Sequence, residues 1–101
     1  MSDAQVTLGA AGELRLAGVL DYRTGPGLRK QGRALLGQSP SDPLVIDCSA
    51  VEKSSSVGLS LLLAFVRDAR ALGREARISG LPTDMRDIAR VSGLDGILPI
   101  V

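Results

Sequence analysis

The sequence predicts a single α/β domain, and three observations carry that expectation. The chain has 101 residues, enough for one modest hydrophobic core but too few for a deep cleft between domains. Stretches with a two-residue apolar period alternate with stretches of helical period, in the order β-β-α-β-α-β-α. The middle β-α-β contains a helix long enough for a crossover, so its two strands should run parallel.

The elements follow in order along the chain. Val6 and Leu8 alternate with Thr7 and Gly9 as a short half-buried strand, Ala11-Gly12 turns the chain, and Leu14, Leu16 and Leu20 continue a second strand. Thr24 is expected to cap the first helix, with Pro26 in its first turn, where a missing N–H is harmless. Leu28, Gly32, Leu35 and Leu36 then lie on one helical face, and Arg29, Lys30 and Arg33 on the water side. Gly37 to Pro43 reads as punctuation. Leu44-Val45-Ile46, bounded by Pro43 and Asp47, reads as a strand covered on both faces or in the middle of a sheet. Val57 to Leu72 is the second helix, with Arg67 and Arg70 near its C-terminal end and Gly73 as its cap. Ala76 and Ile78 mark a short strand. Met85, Ile88, Ala89 and Ser92 mark a third helix, opened by Pro82-Thr83-Asp84 and stopped at Gly93. The apolar tail Ile97 to Val101 should pack on the core or add an edge strand.

Composition excludes several functions. With 12 basic and 11 acidic side chains, the formal charge of +1 provides no field for a polyanion. Tyr22 and Phe65 are the only aromatics, too few to build a base-stacking platform, so nucleic acid is not an expected partner. The chain has no histidine, so a Ser-His or Cys-His nucleophile system cannot be assembled. One cysteine without histidine likewise cannot form a structural zinc site. No catalytic residue, cofactor or metal is therefore expected, and Cys48 reads as a small buried filler. The N-terminal Met1 to Gln5 lacks the layout of a secretion signal. The apolar segment Val57 to Val66 is about half of the roughly 20 residues that cross a bilayer. A cytoplasmic protein without direct membrane insertion is the expectation.

Three features remain as candidates for function. The first is the second helix, whose stripe Leu59, Leu62, Leu63 and Val66 would face the sheet while Leu61 and Phe65 widen the apolar arc on a flank. Neighbouring helices could cover the surplus, or a partner protein could. The second is Ser54-Ser55-Ser56, between the central strand and that helix, at the strand end where ligands and partners gather in α/β sheets. One serine should cap the helix; the others could form a contact or a phosphorylation switch. The third is Arg67, Arg70, Arg74 and Arg77, a basic cluster that reads as a solvated face or as a partner-facing patch. Asp47 and Asp21, at strand ends, should fix loops by hydrogen bonding.

Three segments in order resemble the successive signatures of STAS domains, named for sulfate transporters and anti-sigma factor antagonists. They are Leu16-Ala17-Gly18-Val19-Leu20-Asp21, Val45-Ile46-Asp47-Cys48-Ser49-Ala50-Val51, and Ser55-Ser56-Val57-Gly58-Leu59-Ser60-Leu61-Leu62-Leu63. The resemblance spans nearly the whole chain and implies one STAS domain over residues 1–101, with a mixed four- to five-stranded sheet and helices mainly on one face. In the anti-sigma factor antagonists the strand-to-helix loop reads Asp-Ser-Ser-Gly, and its first serine is phosphorylated; aligned on Gly58, that serine is Ser56. Here Ser55 replaces the aspartate and Val57 the second serine, which favours a packed contact over a kinase site. The leucine-rich Gly58 to Leu63 segment and the ending Leu94 to Pro99 resemble the STAS subunits of bacterial ABC transporters that move phospholipids. That likeness implies a cytoplasmic accessory subunit docked on an ABC transporter ATPase subunit, and through it on the membrane permease. Ser54, Ser55, Ser56, Val57, Leu61 and Phe65 are then the expected partner-binding residues. The alternative it implies is an anti-sigma factor antagonist regulated by phosphorylation at Ser56.

Overall fold

Burial alternates along Leu14–Leu20 (β2), with Leu14, Leu16 and Leu20 fully covered and Arg15, Ala17 and Val19 on the other side, as a strand with one protected face requires. Gln5–Leu8 (β1) pairs with it antiparallel, so the expected hairpin is present. The computed structural model describes residues 4–101. Met1 to Asp3, part of the N-terminal segment read as lacking a secretion signal, lie outside the described residues.

The remaining elements are Gly25–Gln38 (α1), Leu44–Ser54 (β3), Ser56–Ala71 (α2), Ala76–Ser79 (β4) and Thr83–Val91 (α3). The strands form one mixed sheet in the order β1-β2-β3-β4, with β2–β3 and β3–β4 parallel. The predicted parallel pairing around the central helix is observed. The tail adds a single parallel bridge, Ile100 to Ile78, at the β4 edge. The inward faces of the strands meet the helices in one core, which includes Leu14, Leu44, Ile46, Ile78, Leu62, Phe65 and Met85.

Asp47 does not end the central strand. β3 runs eleven residues, to Ser54. Its register against β2 steps from Arg15↔Asp47 to Ala17↔Ala50, so one extra residue is accommodated and the inward phase moves from Cys48 to Val51. The Asp47 carboxylate accepts the Ser49 N–H at 2.9 Å across this irregularity and lies 3.7 Å from Arg15. The shifted phase erases the alternation that would have extended the strand in sequence. Thr24, at the α1 N-cap, makes no side-chain cap bond; its hydroxyl instead accepts from the Asp21 N–H and donates to the Val19 carbonyl.

The surplus apolar surface of α2 is covered within the domain. α2 lies between α1 and α3. Leu61 is 5% exposed and Phe65 0%, so neither presents a contact surface, contrary to the expectation that both face a partner. Gly32 explains how Phe65 is accommodated. A β-carbon there would stand 2.3 Å from the Phe65 ring, so only glycine lets α1 lie against the ring. Arg29 of α1 also grips Asp68 of α2 through two hydrogen bonds.

Candidate functional site

β2 and β3 are parallel neighbours, so their C-terminal ends, and the helix starts that follow them, come out side by side. Leu20 is in register with Ser54, and the Ser55 N–H donates to the Leu20 carbonyl at 3.0 Å. A methyl carbon of Val57 lies 3.0 Å from where a β-carbon on Gly25 would stand, so the first turns of α1 and α2 touch. The serine run therefore belongs to a two-loop surface at one end of the sheet.

Each serine has a distinct place. The Ser55 hydroxyl is the cap of α2 and accepts the Val57 N–H at 3.2 Å. The Ser54 hydroxyl donates to the Ser55 carbonyl at 2.7 Å and packs against Gly58, where a β-carbon would come within 1.9 Å of it. Ser56 is exposed in the first turn of the helix, and among the described residues its hydroxyl has no protein partner. Val57 is half-buried beside Gly25. Of the six expected contact residues, the structure brings Ser54, Ser55, Ser56 and Val57 together and sends Leu61 and Phe65 into the core.

In the neighbouring loop the sequence pointed only to Asp21 and Thr24, not to Tyr22 or Arg23. Asp21 accepts from the backbone N–H groups of Arg23 and Thr24, at 2.9 and 3.2 Å, so it does fix its loop. The Arg23 guanidinium, 3.0 Å from the Asp21 carboxylate, holds that carboxyl below its ordinary value, with the backbone N–H groups of Arg23 and Thr24 adding to the effect. The same guanidinium sits 5.9 Å from the centroid of Tyr22, a ring 77% exposed. A lone Tyr-Arg pair has no periodic signature; only the fold sets it beside the serines.

The basic cluster loses one member: Arg74 turns inward and donates to the carbonyls of Leu36 and Ser41, while Arg67, Arg70 and Arg77 stay exposed, Arg77 at 3.7 Å from Glu75, as a solvated face would have them. Cys48 is fully buried, and desolvation with the adjacent Asp47 charge pushes its thiol up to about 12, so it is held as a neutral thiol.

The family described as "Mlab, STAS domain" matches residues 4–100. The chain belongs to that family. As an MlaB-like STAS domain it is similar to a chain of the Acinetobacter MlaFEDB complex in an ATP-bound conformation. That match has 22% identity over 96% of this chain and 99% of the other, with a TM-score of 0.81. It is also similar to an anti-sigma factor antagonist from Mycobacterium paratuberculosis, at 28% identity over 99% of this chain and 85% of the other, with a TM-score of 0.74. A third similarity is to the unphosphorylated anti-sigma factor antagonist SpoIIAA, at 18% identity over 97% and 87% of the two chains, with a TM-score of 0.70. The STAS fold expected from the sequence is thus the observed one, with four strands and three helices among the described residues.

Proposed function

We propose that this MlaB-like domain is a non-catalytic accessory subunit that docks on the MlaF-like ATPase subunit of an ABC phospholipid transporter maintaining outer-membrane lipid asymmetry. The carrying observation is the exposed Ser56 hydroxyl, without a partner among the described residues, beside half-buried Val57 on a loop whose other two serines are already used internally. A rigid platform with one free hydroxyl and an apolar neighbour suits a packed protein contact. The likeness to a chain of an ATP-bound MlaFEDB complex over nearly its full length supports the choice of partner. Docking would act by population shift, favouring the assembled, hydrolysis-competent ATPase through its greater affinity for that state.

A non-enzymatic role is supported by the lack of histidine and by a buried thiol whose pKa is pushed up to about 12. No helix among the described residues is long and apolar enough to cross a membrane, so attachment to the inner membrane would run through the ATPase and its permease. Co-expression with the ATPase subunit of the same organism's transporter should give one co-eluting complex in size-exclusion chromatography. Separate elution of the two proteins would contradict the proposal.

A second reading is favoured by one observation, the 28% identity to the mycobacterial anti-sigma factor antagonist. Under that reading Ser56 is a kinase substrate. Its position in the first turn of α2 would let a phosphate meet the positive end of the helix dipole. Incubation with the organism's anti-sigma kinases and ATP would then add one phosphate at Ser56, whereas an unmodified mass would reject it.

A further inference from the structure

The loop between β2 and α1 holds its aromatic in an unusual way. Tyr22 is 77% exposed, although the chain has only one other aromatic residue, Phe65, which is wholly buried. The loop beneath it is firmly tied. Asp21 accepts from two backbone N–H groups, while the Thr24 hydroxyl accepts from the Asp21 N–H at 3.0 Å and donates to the Val19 carbonyl at 2.9 Å. Arg23 folds back over the ring, 5.9 Å from its centroid, and its charge is met by the Asp21 carboxylate at 3.0 Å. The ring therefore stands on a rigid base, supported by a guanidinium whose charge is already paired.

This arrangement adjoins the serine loop. The Ser55 N–H is bonded to Leu20, immediately before Asp21, and Val57 packs over Gly25, immediately after Thr24. A large, pre-positioned aromatic next to an exposed hydroxyl and a half-buried valine has the makings of an interface anchor, because tyrosine buries much area with little side-chain entropy to lose. Local charge narrows the partner chemistry. Asp21 and Arg23 neutralise one another, so the loop offers no net charge to an acidic surface such as anionic lipid or nucleic acid.

Resting on the docking reading above, we infer that Tyr22 is the anchor of the contact with the ATPase subunit, entering an uncharged, apolar pocket on that subunit beside the Ser56 contact. The ring supplies the buried area, and the Asp21–Arg23 pair holds it ready before the partner arrives.

Titration calorimetry of the purified ATPase subunit against the wild type, Tyr22→Ala, Tyr22→Phe and Ser56→Glu tests the inference, with each variant's Tm and oligomeric state recorded. Tyr22→Ala should weaken binding about tenfold or more, at an unchanged Tm, because the ring covers no part of the core. Tyr22→Phe should stay within about threefold of the wild type, since ring burial rather than the hydroxyl carries the contact. Wild-type affinity in Tyr22→Ala, together with lost binding in Ser56→Glu, would overturn the anchor while leaving the docking reading intact. No binding by the wild type would overturn both. A self-associating wild type that becomes monomeric in Tyr22→Ala without change in ATPase affinity would assign the ring to a second copy of the chain, and would equally overturn the anchor.

Discussion

Gly32→Ala places one methyl group where α1 crosses the Phe65 ring. The new β-carbon would stand 2.3 Å from Cζ, 2.5 Å from Cε1 and 3.3 Å from Cε2 of a side chain that is 0% exposed. Carbon atoms pack comfortably at about 3.5–4.0 Å, so the helix or the ring must give by roughly 1 Å in a core with little free space. Overpacking of this kind costs about 1–3 kcal/mol. The better helix propensity of alanine returns up to ~1 kcal/mol. The depth of the overlap puts the cost near the upper end, for a net loss of about 2 kcal/mol. At about 4–8 °C per kcal/mol for a domain of this size, Tm should fall by roughly 10 °C. Gly37→Ala is the internal control: it lies in the same helix with nothing within 4 Å of its β-carbon, and should be neutral or slightly stabilising. Thermal and urea unfolding of both variants, and of Gly32→Ala combined with Phe65→Leu, measure the effect. The double variant should recover about 1 kcal/mol relative to additivity, as expected for residues in contact. If Gly32→Ala matched Gly37→Ala, α1 would not cover Phe65, and the apolar surplus of α2 would again need a partner to hide it.

Two further predictions concern the loops. Ser55→Ala removes the N-cap of α2 and should cost about 1 kcal/mol in urea unfolding, whereas Ser60→Ala, exposed with only a 3.5 Å contact to the Ser56 carbonyl, should be close to neutral. For Asp47, burial works against ionisation, but the Ser49 hydrogen bonds and Arg15 outweigh it and leave its pKa below the ordinary 3.8. A carboxylate with a lowered folded-state pKa stabilises above its unfolded value and loses that contribution as pH falls through the folded one. The stability gap between the wild type and Asp47→Asn, followed by urea unfolding, should therefore be constant above about pH 5 and shrink below about pH 4. A gap that widened in acid would reverse the sign of this account.

Much of the architecture was legible because local pattern and tertiary role agree. The alternation of Leu14, Leu16 and Leu20, the glycine stops at Gly73 and Gly93, and the parallel pairing of β3 and β4 were readable from residue types. Reading failed where one element's pattern depends on a neighbour. β3 was cut short at Asp47 because accommodating an extra residue shifts its inward phase, which no two-residue period reveals. Leu61 and Phe65 looked surplus because sequence shows a helix alone, whereas in the fold both are buried, Phe65 by the approach of α1 at Gly32. The site was half visible. The serine run announced a helix start, but which hydroxyl is spent on the cap, which on the adjacent carbonyl, and which is left free are facts of three-dimensional packing. Tyr22 lies 34 positions from Ser56, and pairing between β2 and β3 makes their loops neighbours.

The most direct test of the account is the affinity of the ATPase subunit for Ser56→Glu against Ser56→Ala and the wild type. Glutamate in the first turn of α2 suits the helix dipole, so it should leave stability unchanged or raise it by about 0.3–1 kcal/mol, and lost binding could not be blamed on misfolding. The account predicts that Ser56→Ala binds within about threefold of the wild type and Ser56→Glu at least ~30-fold more weakly, the effect of about 2 kcal/mol typical of a central contact. Undiminished binding by Ser56→Glu would contradict it, because the serine loop would then lie outside the interface.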